Sequence, residues 1–154
     1  MLNLFKKSNK KNIENDYLLK VAALLIHAAK IDQDFTDNEK EIIQKTLIEL
    51  GADISSIDDL INKAYVYEAN SNQILDFTKE IKNTSEENKL KIIESLWKII
   101  YSNKDVDMFE SNLMRRLTGL LYIDNKMMGD IKQKIKKRFI KWHTLWMKNV
   151  SSVN

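Results

Sequence analysis

The sequence predicts an all-α protein, a single-domain bundle of about seven helices with an internal duplication of a helix, acidic loop, helix unit. Three observations carry that expectation. The 154 residues include no proline and only three glycines, so little interrupts a helix. Apolar residues recur at spacings of three and four along most of the chain, and no run of alternating β-branched residues marks a strand. Serine, threonine and acidic residues stand where helices need N-terminal caps. With 44% apolar and 31% charged residues, the composition is that of a chain that folds around one core.

The first helix is expected over about Asp16 to Lys30, where Leu18, Leu19, Ala22, Leu25, Ile26 and Ala29 form a broad apolar stripe. Residues 1–15 before it read as a basic, flexible segment. Thr36 and Glu39 make a capping box that opens a second helix, which carries Ile42, Ile43, Leu47 and Leu50 and stops at Gly51. Ser55 or Ser56 caps a third helix that runs to about Tyr67, and a fourth carries Ile74, Leu75, Phe77, Thr78 and Ile81. Thr84 and Glu87 form a second capping box before a fifth helix. Leu90, Ile92, Ile93, Leu96, Trp97, Ile99 and Ile100 make that helix apolar on most of its circumference, which places it centrally. A sixth starts at Asp107. The seventh, over about Lys126 to Lys148, sets Met128, Ile131, Ile135, Phe139, Trp142 and Trp146 on one face and lysines on the other. The domain therefore spans residues 16–138, and residues 139–154 extend the last helix as a basic, aromatic segment.

Charge is unevenly distributed along the chain. Residues 1–20 hold five lysines against Glu14 and Asp16, and residues 126–154 hold eight basic residues against Asp130. The remaining 12 basic and 19 acidic residues leave the middle at −7 within a net +3. The absence of cysteine excludes disulfides, thiolate metal sites and thiol chemistry and points to the cytoplasm. No signal-peptide pattern or membrane-spanning apolar run is evident.

Shifting the chain against itself by 71 residues lays residues 17–50 on 88–121. Leu19, Lys20, Leu25, Asp34, Glu39 and Leu50 then fall on Leu90, Lys91, Leu96, Asp105, Glu110 and Leu121. The two acidic loops occupy equivalent places, with side-chain oxygens at Asp32, Asp34, Thr36 and Glu39 in the first. Asn103, Asp105, Asp107 and Glu110 supply those of the second. Hard cations such as calcium or magnesium take six or more oxygen ligands, and these residues would supply part of such a set for a weak site. They are not the loop of an EF-hand, because Asp37 and Met108 stand where its glycine belongs, and Ile43 and Met114 where its bidentate glutamate belongs. Helix capping is the other reading: Thr36 and Asp107 as N-caps, with Glu39 and Glu110 completing the boxes, accounts for four of the residues without a metal.

No conventional catalytic constellation is present. His27 lies among apolar residues on the first helix, where a packed or hydrogen-bonded histidine at the core edge is the expectation, and His143 sits beside Trp142. Phosphate-binding loops, HExxH and GxSxG patterns are missing, so the sequence predicts no enzyme and no small-molecule substrate. The last helix, with Lys132, Lys134, Lys136, Lys137, Arg138 and Lys141 opposite its aromatics, docks by its apolar face on the bundle. From Trp142 onward it is a candidate contact for an anionic membrane or a partner, and nucleic acid is the weaker fit.

The loop pattern resembles that of the TerB-like superfamily, named for tellurite resistance, which also supplies the N-terminal domain of a membrane-anchored DnaJ-type co-chaperone. Its signature is an Ala-x-Asp-Gly-x-[Asp/Thr/Ser]-x-x-Glu loop between two helices, occurring twice. Ala29 to Glu39 and Tyr101 to Glu110 are the matching stretches here. Leu75-Asp-Phe-Thr, Ile92-Ile-Glu-Ser-Leu-Trp-Lys-Ile-Ile-Tyr101 and Phe109-Glu-Ser-Asn-Leu113 are similar to the small bacterial members, so the resemblance covers about residues 18–138. It implies a seven-helix bundle and a divalent-cation site carried by Asp32, Glu39, Asn103 and Glu110. Gln33 and Lys104 replace the loop glycines and Asn103 replaces an acidic ligand, which weakens the implied site. The function so implied is a non-catalytic cytoplasmic module that binds a protein partner in a stress-linked or envelope-linked assembly, with the alternative of an anionic-membrane or nucleic-acid binder working through the last helix.

Overall fold

The computed structural model describes residues 2–32, 35–102 and 108–151, and among them it contains seven α-helices and no strand. They are α1 (Leu2–Ala29), α2 (Asp37–Glu49), α3 (Ile57–Asn70), α4 (Leu75–Ile81), α5 (Glu86–Ser102), α6 (Met108–Leu120) and α7 (Asn125–Ser151). Short 3-10 turns at Lys30–Asp32 and Ile54–Ser56 follow α1 and precede α3.

Helix α1 is the axis. Val21 through Ile26 are six consecutive residues with no exposed surface, and Ala29 is equally buried. A helix buried on every side cannot be amphipathic. The stripe read from the sequence is therefore only part of its apolar circumference, and α3, α4, α5 and α2 all pack around it. Helix α5 is the second buried element, with Ile92, Ile93, Leu96, Trp97, Ile99 and Ile100 in the core, and α7 lies against it. The Thr46 and Ser95 hydroxyls hydrogen-bond at 2.5 Å and join α2 to α5 inside the core.

Helix ends follow local chemistry, with three differences from expectation. The capping box at α2 forms: Glu39 N–H donates to Thr36 Oγ1 at 3.2 Å, and Thr36 N–H to Glu39 Oε1 at 3.4 Å. At α5 the cap is one residue later than the Thr84–Glu87 pattern suggests, because Asn88 N–H donates to Ser85 Oγ at 3.2 Å. Thr84 is engaged elsewhere, donating from Oγ1 to the Tyr17 hydroxyl of α1 at 3.0 Å. Ser56 holds the position before α3 without a side-chain cap bond, and Asp53 instead accepts from Ser55 N–H at 3.1 Å to cap the preceding turn. Helix α1 begins at Leu2 rather than near Asp16. No proline or glycine separates the two positions, and the intervening lysines are compatible with a helix.

The 71-residue register reaches into the ends of α2 and α6. Gly51 N–H donates to Ile48 O at 3.0 Å and Ala52 N–H to Leu47 O at 2.9 Å. At the matching positions, Tyr122 N–H donates to Gly119 O at 3.3 Å and Ile123 N–H to Thr118 O at 3.0 Å. Both terminators need a left-handed residue, Gly51 with φ 108° and Tyr122 with φ 54°. Glycine takes that conformation without penalty, whereas a residue with a Cβ is strained by about 1–2 kcal/mol. Tyr122 is 70% exposed, and its ring has a distant cation contact, 6.0 Å from Lys82 Nζ. Tyr122→Gly is therefore expected to raise stability by about 0.5–1 kcal/mol, or roughly 1–4 °C in the melting temperature measured by circular dichroism. Gly51→Ala should lower it by a similar amount.

Candidate functional site

The first acidic loop is anchored at its C-terminal end by Glu39. This residue has no exposed surface, a costly position for a carboxylate unless donors stabilise its charge. Its Oε1 accepts from the Thr36 backbone N–H and from Thr36 Oγ1 at 2.9 Å, at the positive end of α2. Thr36 and Glu39 are thus bonded to each other as a cap through Glu39 Oε1. Asp34, Asn103, Asp105 and Asp107 lie outside the described residues, as do the side chains of Asp32 and Glu110. Among the described residues no three His, Asp or Glu side chains cluster at ligand distance.

A polar cluster that the sequence did not disclose sits where α1 leaves the core. Glu68 of α3, 9% exposed, receives Lys30 Nζ at 2.6 Å on one carboxylate oxygen and lies 3.1 Å from His27 Nδ1 on the other. The His27 ring packs against Phe77 at 6.0 Å between centroids. The expectation of a histidine hydrogen-bonded at the core edge holds, and its partner comes from 41 residues away. One signal lay in the sequence: His27 and Lys30, a helical turn apart at the end of an apolar helix, call for a nearby acid. Lys30 Nζ also stands 4.7 Å from the Tyr65 ring centre, and Tyr65 lies 6.1 Å from Phe35 of the acidic loop. The loop is therefore attached to α3 through aromatic contacts as well as to α2 through its cap. One turn pair earlier on α1, Lys20 hydrogen-bonds the Tyr67 hydroxyl and covers its ring at 4.3 Å.

An open cleft of about 1220 Å³ runs beside the same helix, between α1, the end of α2, α4 and the start of α5. Its rim carries Glu14, Asp16 and Glu80 together with Lys79 and Lys82. Loss of hydration, a hydrogen bond with Asp16 and repulsion from that carboxylate push the Glu80 carboxyl above the usual carboxylate range. Tyr17 lines the cleft as well, and burial raises its hydroxyl above the ordinary tyrosine value. Charges of both signs around an open concavity suit recognition of a polar, mixed-charge surface. They do not provide a nucleophile with a positioned base, since His27 lies at the other end of the buried stretch.

No helix among the described residues is long and apolar enough to cross a membrane. The family model described as tellurite resistance protein TerB matches residues 18–133. No curated protein and no solved structure matches the chain.

Glu68 is the common partner of two groups that α1 carries out of the core, so removing it strands both. Glu68→Ala is expected to cost about 2 kcal/mol, roughly 4–8 °C in melting temperature, and Glu68→Gln less because it still accepts from Lys30. Thermal denaturation of the two variants beside wild type measures this, and unchanged stability of Glu68→Ala would remove the cluster from the fold's determinants.

Proposed function

The chain belongs to the TerB family, and from that premise we propose that it is a non-catalytic, cytoplasmic protein-interaction module acting in a stress-linked or envelope-linked role of the tellurite-resistance kind. A divalent cation, calcium or magnesium, binds weakly at the acidic loops and regulates it. The observation that carries the reading is the family match across residues 18–133, which takes in both acidic loops and most of the lining of the cleft beside α1. The partner meets the mixed-charge rim of that cleft. The cation acts on the loop that Phe35 and Glu39 tie to α3 and α2, so that its ligation stiffens the connection between these helices. Weak affinity is expected because Asn103 and Lys104 lower the negative charge of the second loop.

The test must separate ligation from capping, and Glu39 does not serve because its loss removes the cap itself. Asp32→Asn/Asp34→Asn in the first loop and Asp105→Asn/Asp107→Asn in the second remove ligand charge, and asparagine at 107 keeps a good N-cap. A ligand bound only to the native state stabilises it by about 1.4 kcal/mol at ten times its Kd. Millimolar calcium or magnesium should therefore raise the melting temperature of the wild type and leave the double variants unmoved. No rise in the wild type would contradict the cation part. Turnover of a phosphoester by the purified chain, lost in the same variants, would contradict the non-catalytic part.

A further inference from the structure

We propose that the far end of α7, beyond Phe139, is a docking surface for an anionic membrane, on which the helix lies in the headgroup layer. The docked part of α7 ends at a definable place. Met128 and Ile135 are buried, Ile131 and Phe139 partly so, and Trp97 of α5 donates its indole N–H to Met128 Sδ at 3.3 Å. Lys134 and Arg138 reach Glu94 of α5 at 3.9 and 3.7 Å. Past this contact the helix continues unbroken to Ser151, yet every residue whose burial is described from Ile140 to Asn149 is exposed. Those twelve or so residues amount to roughly 18 Å of helix beyond its seat on the bundle.

The exposed part is not built like a solvated helix. Ile140 is 57% exposed, Leu145 54%, Trp146 50% and Met147 54%. Ile140 and Met147 stand seven residues, two turns, apart on one side, with Trp146 beside Met147 and Lys136 a turn before Ile140. Lys141 and Lys148 each follow an apolar residue by one position, about 100° around the helix, so basic side chains flank the Ile140–Met147 side as they do in helices that lie in a bilayer interface. A tryptophan with an apolar body and a polar N–H suits the same layer.

Charge selects the occupant. Residues 126–154 carry eight basic residues against Asp130, so a second copy of this helix would meet a surface of its own sign. Nucleic acid would match the lysines but offer nothing to Ile140 and Met147. An anionic bilayer satisfies both features, drawing the basic segment in and accepting the apolar residues at the acyl boundary. The match to the TerB family ends at residue 133, so the surface is additional to the shared module.

Sedimentation of the full chain with lipid vesicles tests this. Vesicles of phosphatidylcholine mixed equally with phosphatidylglycerol should carry the protein down at low salt, with partitioning at least about tenfold above that of pure phosphatidylcholine and weakened by added salt. Ile140→Ser/Met147→Ser should lower partitioning at least about tenfold with the far-ultraviolet circular dichroism unchanged, and Lys136→Glu/Lys141→Glu should do the same by charge. Absence of binding to the mixed vesicles, or equal binding to both kinds, would overturn the proposal. So would binding to a DNA duplex that Ile140→Ser/Met147→Ser leaves intact while vesicle binding is lacking. A dimer seen by sedimentation velocity that the same variant dissolves, without vesicle binding, would assign the face to a second copy instead.

Discussion

The whole arrangement depends on one constraint, that the stretch from Val21 to Ile26 of α1 is buried on every side. Such a stretch is stable only if other helices surround it, because its apolar surface has no hydrated side to turn outward. Helices α2, α3, α4 and α5 supply that enclosure. The same constraint fixes where polar chemistry must appear. The chain leaves the enclosed stretch through His27 and Lys30 and enters it past Tyr17 and Lys20, and each of these finds a partner on another element. Glu68 holds the first two, Thr84 and Tyr67 the others. The polar cluster and the cleft are thus the two ends of one buried rod.

Local patterns were the legible part of this fold. The Thr36–Glu39 box, the stop at Gly51 and the buried α5 each follow from residues within a few positions of one another, and each stands as read. The misplaced cap at α5 shows the limit of such reading. Thr84 and Ser85 are both competent caps, and the choice is made by Tyr17 of α1, 67 positions away in sequence, which takes the Thr84 hydroxyl. Tyr122 evaded recognition for the opposite reason, since the rule for helix ends expects glycine and the bundle tolerates a strained tyrosine. Glu68 could be inferred only as a need for some acid near His27 and Lys30, because sequence carries no address for a contact across 41 positions.

For the candidate site, the acidic loops illustrate how one set of residues fits two chemistries. A threonine and a glutamate three positions apart at a helix start are a cap by geometry, and the described structure uses Thr36 and Glu39 in that way. In the proposed reading, Asp32, Asp34 and the second loop, where charge is sparser, supply the remaining cation ligands. Capping secures the loop to the core, while the surfaces proposed to meet partners, the cleft rim and the outer end of α7, lie at the periphery.

Native-state amide hydrogen exchange tests that division most directly. The account predicts that amides of Leu24 to Ala29 and of Ile92 to Ile100 exchange only through global unfolding, while those from Ile140 to Ser151 exchange orders of magnitude faster through local opening. Exchange of the buried α1 stretch as fast as that of the outer part of α7 would contradict the claim that this helix is the axis on which the rest is assembled.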